Sequence, residues 1–93
     1  MYTFTDLKFK PKKGFKWQKQ ARLLFENGYE ASVLFGSMFY SNGKDTYELA
    51  IIHNWKVCYD TGITDDVFGW ISKDEVTDLL NKISSLPPKI WNQ

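Results

Sequence analysis

Asp60-Thr61-Gly62 is the triplet in this chain that most invites a catalytic reading. An aspartate in such a turn can serve as half of an acid–base dyad, but that chemistry needs a second aspartate from a partner subunit to share its proton. The 31 residues after Gly62 read as loop and helix, and they lack the Ile-Leu-Gly-type segment a dimeric protease requires. Asp60, Asp65 and Asp66, with Thr61 and Thr64, offer oxygens to a hard cation. The alternating ligand spacing and turn glycine of a calcium loop are missing, so a solvated loop with Asp and Thr side chains holding its turns is the expectation. His53 and Cys58 flank Asn54-Trp55, but two ligands with no second pair do not make a zinc site. A nucleophilic Cys58 would need a base beside it in a cleft, whereas a half-buried strand cysteine is ordinary. No serine sits in a nucleophile elbow and no glycine loop has phosphate-binding spacing. The expectation is a protein that is not an enzyme and uses no metal or cofactor.

Binding chemistry is better represented. Lys8, Phe9, Lys10, Lys12, Lys13, Phe15, Lys16 and Trp17 interleave bases with rings around Pro11 and Gly14. Lysines neutralise phosphates and aromatic faces stack on unpaired bases, so this arm suits single-stranded nucleic acid. The same alternation suits an edge strand that turns its rings inward and its lysines to water. Arg22 is the only arginine, which argues against bidentate reading of base edges. Trp55 at a turn and Trp91 in the tail are rings that gain little from a core, and with Asp60, Asp65 and Asp66 they form the expected protein-binding set. Each tryptophan has the alternative of folding back on the domain. Trp55 is expected on a loop longer than two residues, because a two-residue reversal would force positive φ on it.

The elements that must carry these residues are legible. Ser72-Lys73-Asp74-Glu75 is a capping box, and Asp74 and Glu75 put negative charge at the positive end of a helix dipole. Val76, Leu79, Leu80, Ile83 and Leu86 follow at helical spacing, with Asp78, Asn81, Lys82 and Ser85 on the opposite side. Pro87-Pro88 stops the helix, so residues 73–85 are expected to be helical. Upstream, Gln20–Phe25 and Glu30–Phe35 flank Asn27-Gly28, a pair that tolerates the positive φ of a tight hairpin. Asn42-Gly43 separates Met38–Tyr40 from Thr46–Leu49, and Asn54-Trp55 separates Leu49–Ile52 from Lys56–Tyr59. Residues 17–25 also have good helix propensity, but the turn pair directly after them favours strand. The fold class is α+β: an antiparallel β-meander of about four strands with one C-terminal helix packed on the sheet. Residues 1–18 form a basic-aromatic arm or edge strand, 19–87 the domain, and 88–93 a short tail. Leu49-Ala50-Ile51-Ile52 is apolar on both faces, and the helix is expected to cover one of them.

Composition agrees. Of 93 residues, 43% are hydrophobic and 17% aromatic, enough to build a core. No apolar run approaches the ~20 residues of a membrane span, and the N-terminus lacks a secretory signal pattern. A single cysteine permits no intrachain disulfide, and a reducing cytoplasm is the expected compartment. Residues 1–22 hold seven bases against Asp6, while residues 23–93 hold five lysines against ten acids. That imbalance points to a charged partner or to mutual attraction of the two parts.

Phe25-Glu26-Asn27-Gly28-Tyr29, Ser32-Val33, Tyr47-Glu48-Leu49-Ala50 and Tyr59-Asp60-Thr61-Gly62-Ile63-Thr64-Asp65-Asp66-Val67-Phe68-Gly69-Trp70, followed by the Ser72 helix start and Leu86-Pro87, form a pattern over about residues 20–87. It resembles small uncharacterised proteins of tailed bacteriophages and prophages, and does not extend to the basic arm. The resemblance implies a viral protein in the host cytoplasm, without an assigned reaction. It further implies a bacterial host or phage protein as partner, as for inhibitors of defence complexes such as CRISPR effectors. It supplies no site residues.

Overall fold

The computed structural model describes residues 1–11, 18–36, 41, 44–53, 56–57 and 67–88. Strands β1 (Lys10–Pro11), β2 (Lys19–Leu24), β3 (Glu30–Phe35), β4 (Tyr47–His53) and β5 (Lys56–Val57) follow one another across an antiparallel sheet in chain order. The meander and its single helix, α1 (Lys73–Ser84), are as the sequence predicts. The β2 segment is strand and not helix.

Two features depart from expectation. Residues 68–71, read as part of a loop, form a further strand, β6 (Phe68–Ile71), antiparallel to β4. It lies against the N-terminal part of β4, through Tyr47↔Ile71 and Leu49↔Phe68, while β5 takes the other end, through Ile52↔Val57 and His53↔Lys56. The pairing of His53 with Lys56 leaves two residues between β4 and β5, against the longer loop expected around Trp55.

Register decides which side chains meet the helix. Ala21 pairs with Val33 and Val33 with Leu49, while Ala31 pairs with Ile51. Because alternate residues share a face, these form one apolar surface, and Val76, Leu79, Leu80 and Ile83 of α1 close over it in the same core cluster. Leu49, Ile51, Val33, Val76, Leu80 and Ile83 are fully buried. Each such burial stabilises by roughly 1.5–3 kcal/mol. Ile52 points to the opposite face and is only half-buried.

The helix ends explain its bounds. Ser72 Oγ accepts from the Glu75 N–H at 3.2 Å, and Glu75 Oε1 accepts from the Ser72 N–H at 3.0 Å. At the other end the cap comes from far away in sequence. Asn27 Nδ2 donates to the carbonyl of Ile83 (2.7 Å), which also accepts from the Leu86 N–H, and to that of Leu86 (3.1 Å) just past the last turn. The Asn27-Gly28 pair is therefore not a simple two-residue turn. Phe25 pairs with Tyr29 through its N–H, Gly28 N–H returns to the Phe25 carbonyl, and only Gly28 takes positive φ (90°). That leaves Asn27 free of the backbone duty and able to lock the hairpin to the helix.

The first eleven residues are docked on the same layer. Tyr2 exchanges both backbone bonds with the Asn81 amide, at 2.8 and 2.7 Å, and Phe4 N–H donates to Thr77 Oγ1 at 2.9 Å. A single 3-10 turn over Phe4–Asp6 then brings Leu7 into the core. Asn81, assigned by periodicity to the outer side of the helix, is the clamp for this segment.

Candidate functional site

Two places on the molecule combine exposed or open apolar groups with charge. The first is the junction of β6 and α1. Between the paired residues, β4 contributes one residue (Glu48) where β6 contributes two, Gly69 and Trp70, so β6 is bulged there. Trp70 sits at φ 51°, in the left-handed region that a bulky side chain enters at a cost of about 1–3 kcal/mol. Its neighbour Gly69, which would enter that region at no steric cost, is not the residue there. The strain is accompanied by exposure: Trp70 is 61% accessible, one of three large apolar side chains so exposed among the described residues. Its strand neighbours Phe68 and Ile71, with Leu79, Glu75, Asp78 and Lys82 of α1, line a groove of about 270 Å³ to which Trp70 itself does not contribute. Bulges re-aim side chains at sheet edges and near functional sites. Here the bulge coincides with an exposed tryptophan on the strand whose other residues line a groove bearing Glu75, Asp78 and Lys82.

The second place adjoins the first across the β4–β6 pair, where Tyr47 faces Ile71 in the register. Tyr47 stands among Phe4 (ring centroids 4.9 Å apart), Phe35 (5.1 Å) and Phe9 (5.8 Å), and Phe4 and Phe9 are 5.7 Å apart. The four rings and Lys19 line a cavity of about 260 Å³. Lys73 Nζ lies 5.4 Å from the Phe4 centroid, within cation–π range. Burial pushes the Tyr47 phenol above its ordinary pKa, and the Asp45 carboxylate adds in the same direction.

The structure meets the sequence expectations unevenly. Trp55, Asp60, Asp65, Asp66 and Trp91 lie outside the described residues, as do Lys12, Lys13, Phe15, Lys16 and Trp17, and Cys58. Lys8 and Lys10 are exposed on either side of the half-buried Phe9. His53 Nδ1 lies 3.0 Å from the Gly28 carbonyl, so the β2–β3 hairpin occupies it. No three His, Cys, Asp or Glu among the described residues cluster as a metal site would require. No helix among them is long and apolar enough to cross a membrane. Sequence reasoning missed Trp70, and it did not bring Phe4, Phe35 and Tyr47 together. Gly69-Trp70 directly before a helix cap was a signal for a bulge, since glycine in a short strand marks one.

No family model, no curated protein and no solved structure matches the chain.

Proposed function

We propose that this protein is a non-enzymatic binding module that grips another protein through the β6–α1 junction, with Trp70 as its anchor. The observation that carries the reading is a tryptophan held at φ 51° and 61% exposed, on the strand whose Phe68 and Ile71 line an open groove. Tryptophan is the residue type most enriched among interface anchors, and a strained, exposed ring is not what core packing selects. Glu75 and Asp78 on the groove suit a partner that presents a basic rim around an apolar knob. The resemblance to small phage proteins supports a bacterial host or phage protein as that partner, encountered in the host cytoplasm, with inhibition of a host complex as the outcome. Asp60, Asp65, Asp66, Trp55 and Trp91 extend the proposed contact set beyond the junction.

The test is affinity capture from nuclease-treated bacterial lysate with wild type, Trp70→Ala and Leu24→Ala in parallel. Leu24 is 70% exposed on β2 and serves as an apolar control away from the groove. A protein retained by wild type and Leu24→Ala, and reduced at least about tenfold on Trp70→Ala, is expected. Equal retention by all three chains would refute the assignment.

A further inference from the structure

The aromatic cavity on the Tyr47 side of the β4–β6 pair has no part in that reading. Its walls are unusual for a core margin: four rings meet around open space, yet only Tyr47 among them is buried, while Phe4, Phe9 and Phe35 are half-buried. The rings touch one another, with centroids 4.9–5.8 Å apart, and the open space lies against them, where it forfeits contact energy. At about 260 Å³ the cavity falls just below the ~300–1,000 Å³ typical of drug-sized ligands, which suits one flat ring system and little more.

Charge selects among flat ligands. Lys19 lines the cavity and makes no ion pair among the described residues, and Lys73 stands over the Phe4 ring. Lys8 and Lys10 flank Phe9 and are exposed. The acids on the same elements are Asp6, which accepts from the Thr3 N–H at 2.8 Å, Glu30, which pairs with Arg22, and Glu48. Asp74, Glu75 and Asp78 belong to α1, with Glu75 engaged in the helix cap, and Asp45, just before β4, acts on Tyr47. Lys19 on the lining and Lys73 over Phe4 repel a cation, so the rings do not make a cage for a quaternary ammonium. They attract a ligand whose ring carries an anion. Aromatic faces accept any nucleobase by stacking, and lysine ammonium groups meet phosphate as point charges.

We propose that Phe4, Phe9, Phe35 and Tyr47 with Lys19 form a binding site for a nucleobase bearing a phosphate. The base lies against the rings in the cavity and the phosphate stays at the mouth, against Lys19 and within reach of the segment that carries Lys8 and Lys10. Two sources present this chemistry: a free nucleoside monophosphate and an unpaired nucleotide of a single strand. The site is separate from Trp70, so its failure leaves the protein-binding reading untouched, and the converse holds.

The experiment is an NMR titration of the full chain with adenosine monophosphate, adenosine, and a single-stranded oligodeoxyadenylate, to about 10 mM for the small ligands, well above a millimolar Kd. Shifts at Phe4, Phe9, Phe35 and Tyr47 are expected, with adenosine binding at least about fivefold more weakly than its monophosphate. Shifts with the monophosphate make the free nucleotide sufficient, whereas shifts with the oligonucleotide alone assign the source to a strand. Lys19→Glu, an exposed substitution, should weaken binding about tenfold with the amide spectrum of a folded chain preserved. Phe9→Leu should weaken it about fivefold or more through lost stacking. No shift at these rings with either phosphate-bearing ligand would overturn the proposal, as would binding that ignores Lys19→Glu.

Discussion

One residue, Ser72, separates β6 from α1, and the two neighbours are built on opposite terms. In the helix every local preference agrees with the tertiary structure. Its cap bonds are made, acids occupy its first turn, its stripe is buried, and its last carbonyls are met by Asn27. In β6 the preferences are broken together: a glycine interrupts the strand, a bulge breaks its register, and a tryptophan takes a backbone conformation that suits its glycine neighbour better. Agreement across levels specifies a fold, and a concentrated violation marks where something other than folding was served. The comparison teaches that stability resides in α1 and its clamps, while β6 spends some of it on presenting a ring.

If so, substitutions in the two segments must separate folding from binding. The largest effect is expected at Leu80, fully buried under the sheet. Leu80→Asp strands a charge in the core and should abolish cooperative thermal unfolding. A transition within a few degrees of wild type would break the claim that α1 seals the sheet. Next come the asparagine clamps. Asn27→Ala removes both side-chain donors to the helix C-terminus, and Asn81→Ala releases Tyr2, so each should cost about 1–3 kcal/mol by chemical denaturation. A loss below half a kcal/mol at Asn27, on the order of an ordinary surface change, would mean water replaces it without penalty. Ser72→Ala should cost about 0.5–2 kcal/mol. Paired with Glu75→Ala in a double-mutant cycle it should be non-additive, because the two side chains serve one reciprocal cap. Smallest is Trp70→Gly, where relief of backbone strain offsets the lost ring contacts and the freer unfolded chain. Stability should stay within about 1 kcal/mol of wild type. A large loss would make Trp70 structural and dissolve the contrast.

How much of this was legible depended on the range of the interactions. The capping box, the helical stripe and the hairpin order are local patterns, and the sequence reading matches Lys73–Ser84 and the meander β2–β5. Asn27 and Asn81 were misread because their partners lie 56 and 79 residues away, and a polar side chain's distant partner leaves no periodic mark. β6 escaped because four residues with a glycine and a bulge show no alternation. The aromatic cavity was half visible: Phe9 stood out among its lysines, but its companions come from three other segments that only the register assembles. The rings assigned to interfaces, Trp55 and Trp91, lie outside the described residues, and among the described residues Trp70 is the ring the fold exposes.

A partner protein docked at the β6–α1 junction is within reach of site-specific photo-crosslinking in bacterial cells. A photoreactive residue in place of Lys82, on the groove rim, leaves Trp70 in position to bind. The same group in place of Leu24, exposed on β2, reports collisions elsewhere. Light should yield one discrete protein adduct from position 82, little from position 24, and loss of the position 82 adduct when Trp70→Ala is added. Equal adducts from both positions, or an adduct at 82 indifferent to Trp70→Ala, would contradict docking at the junction.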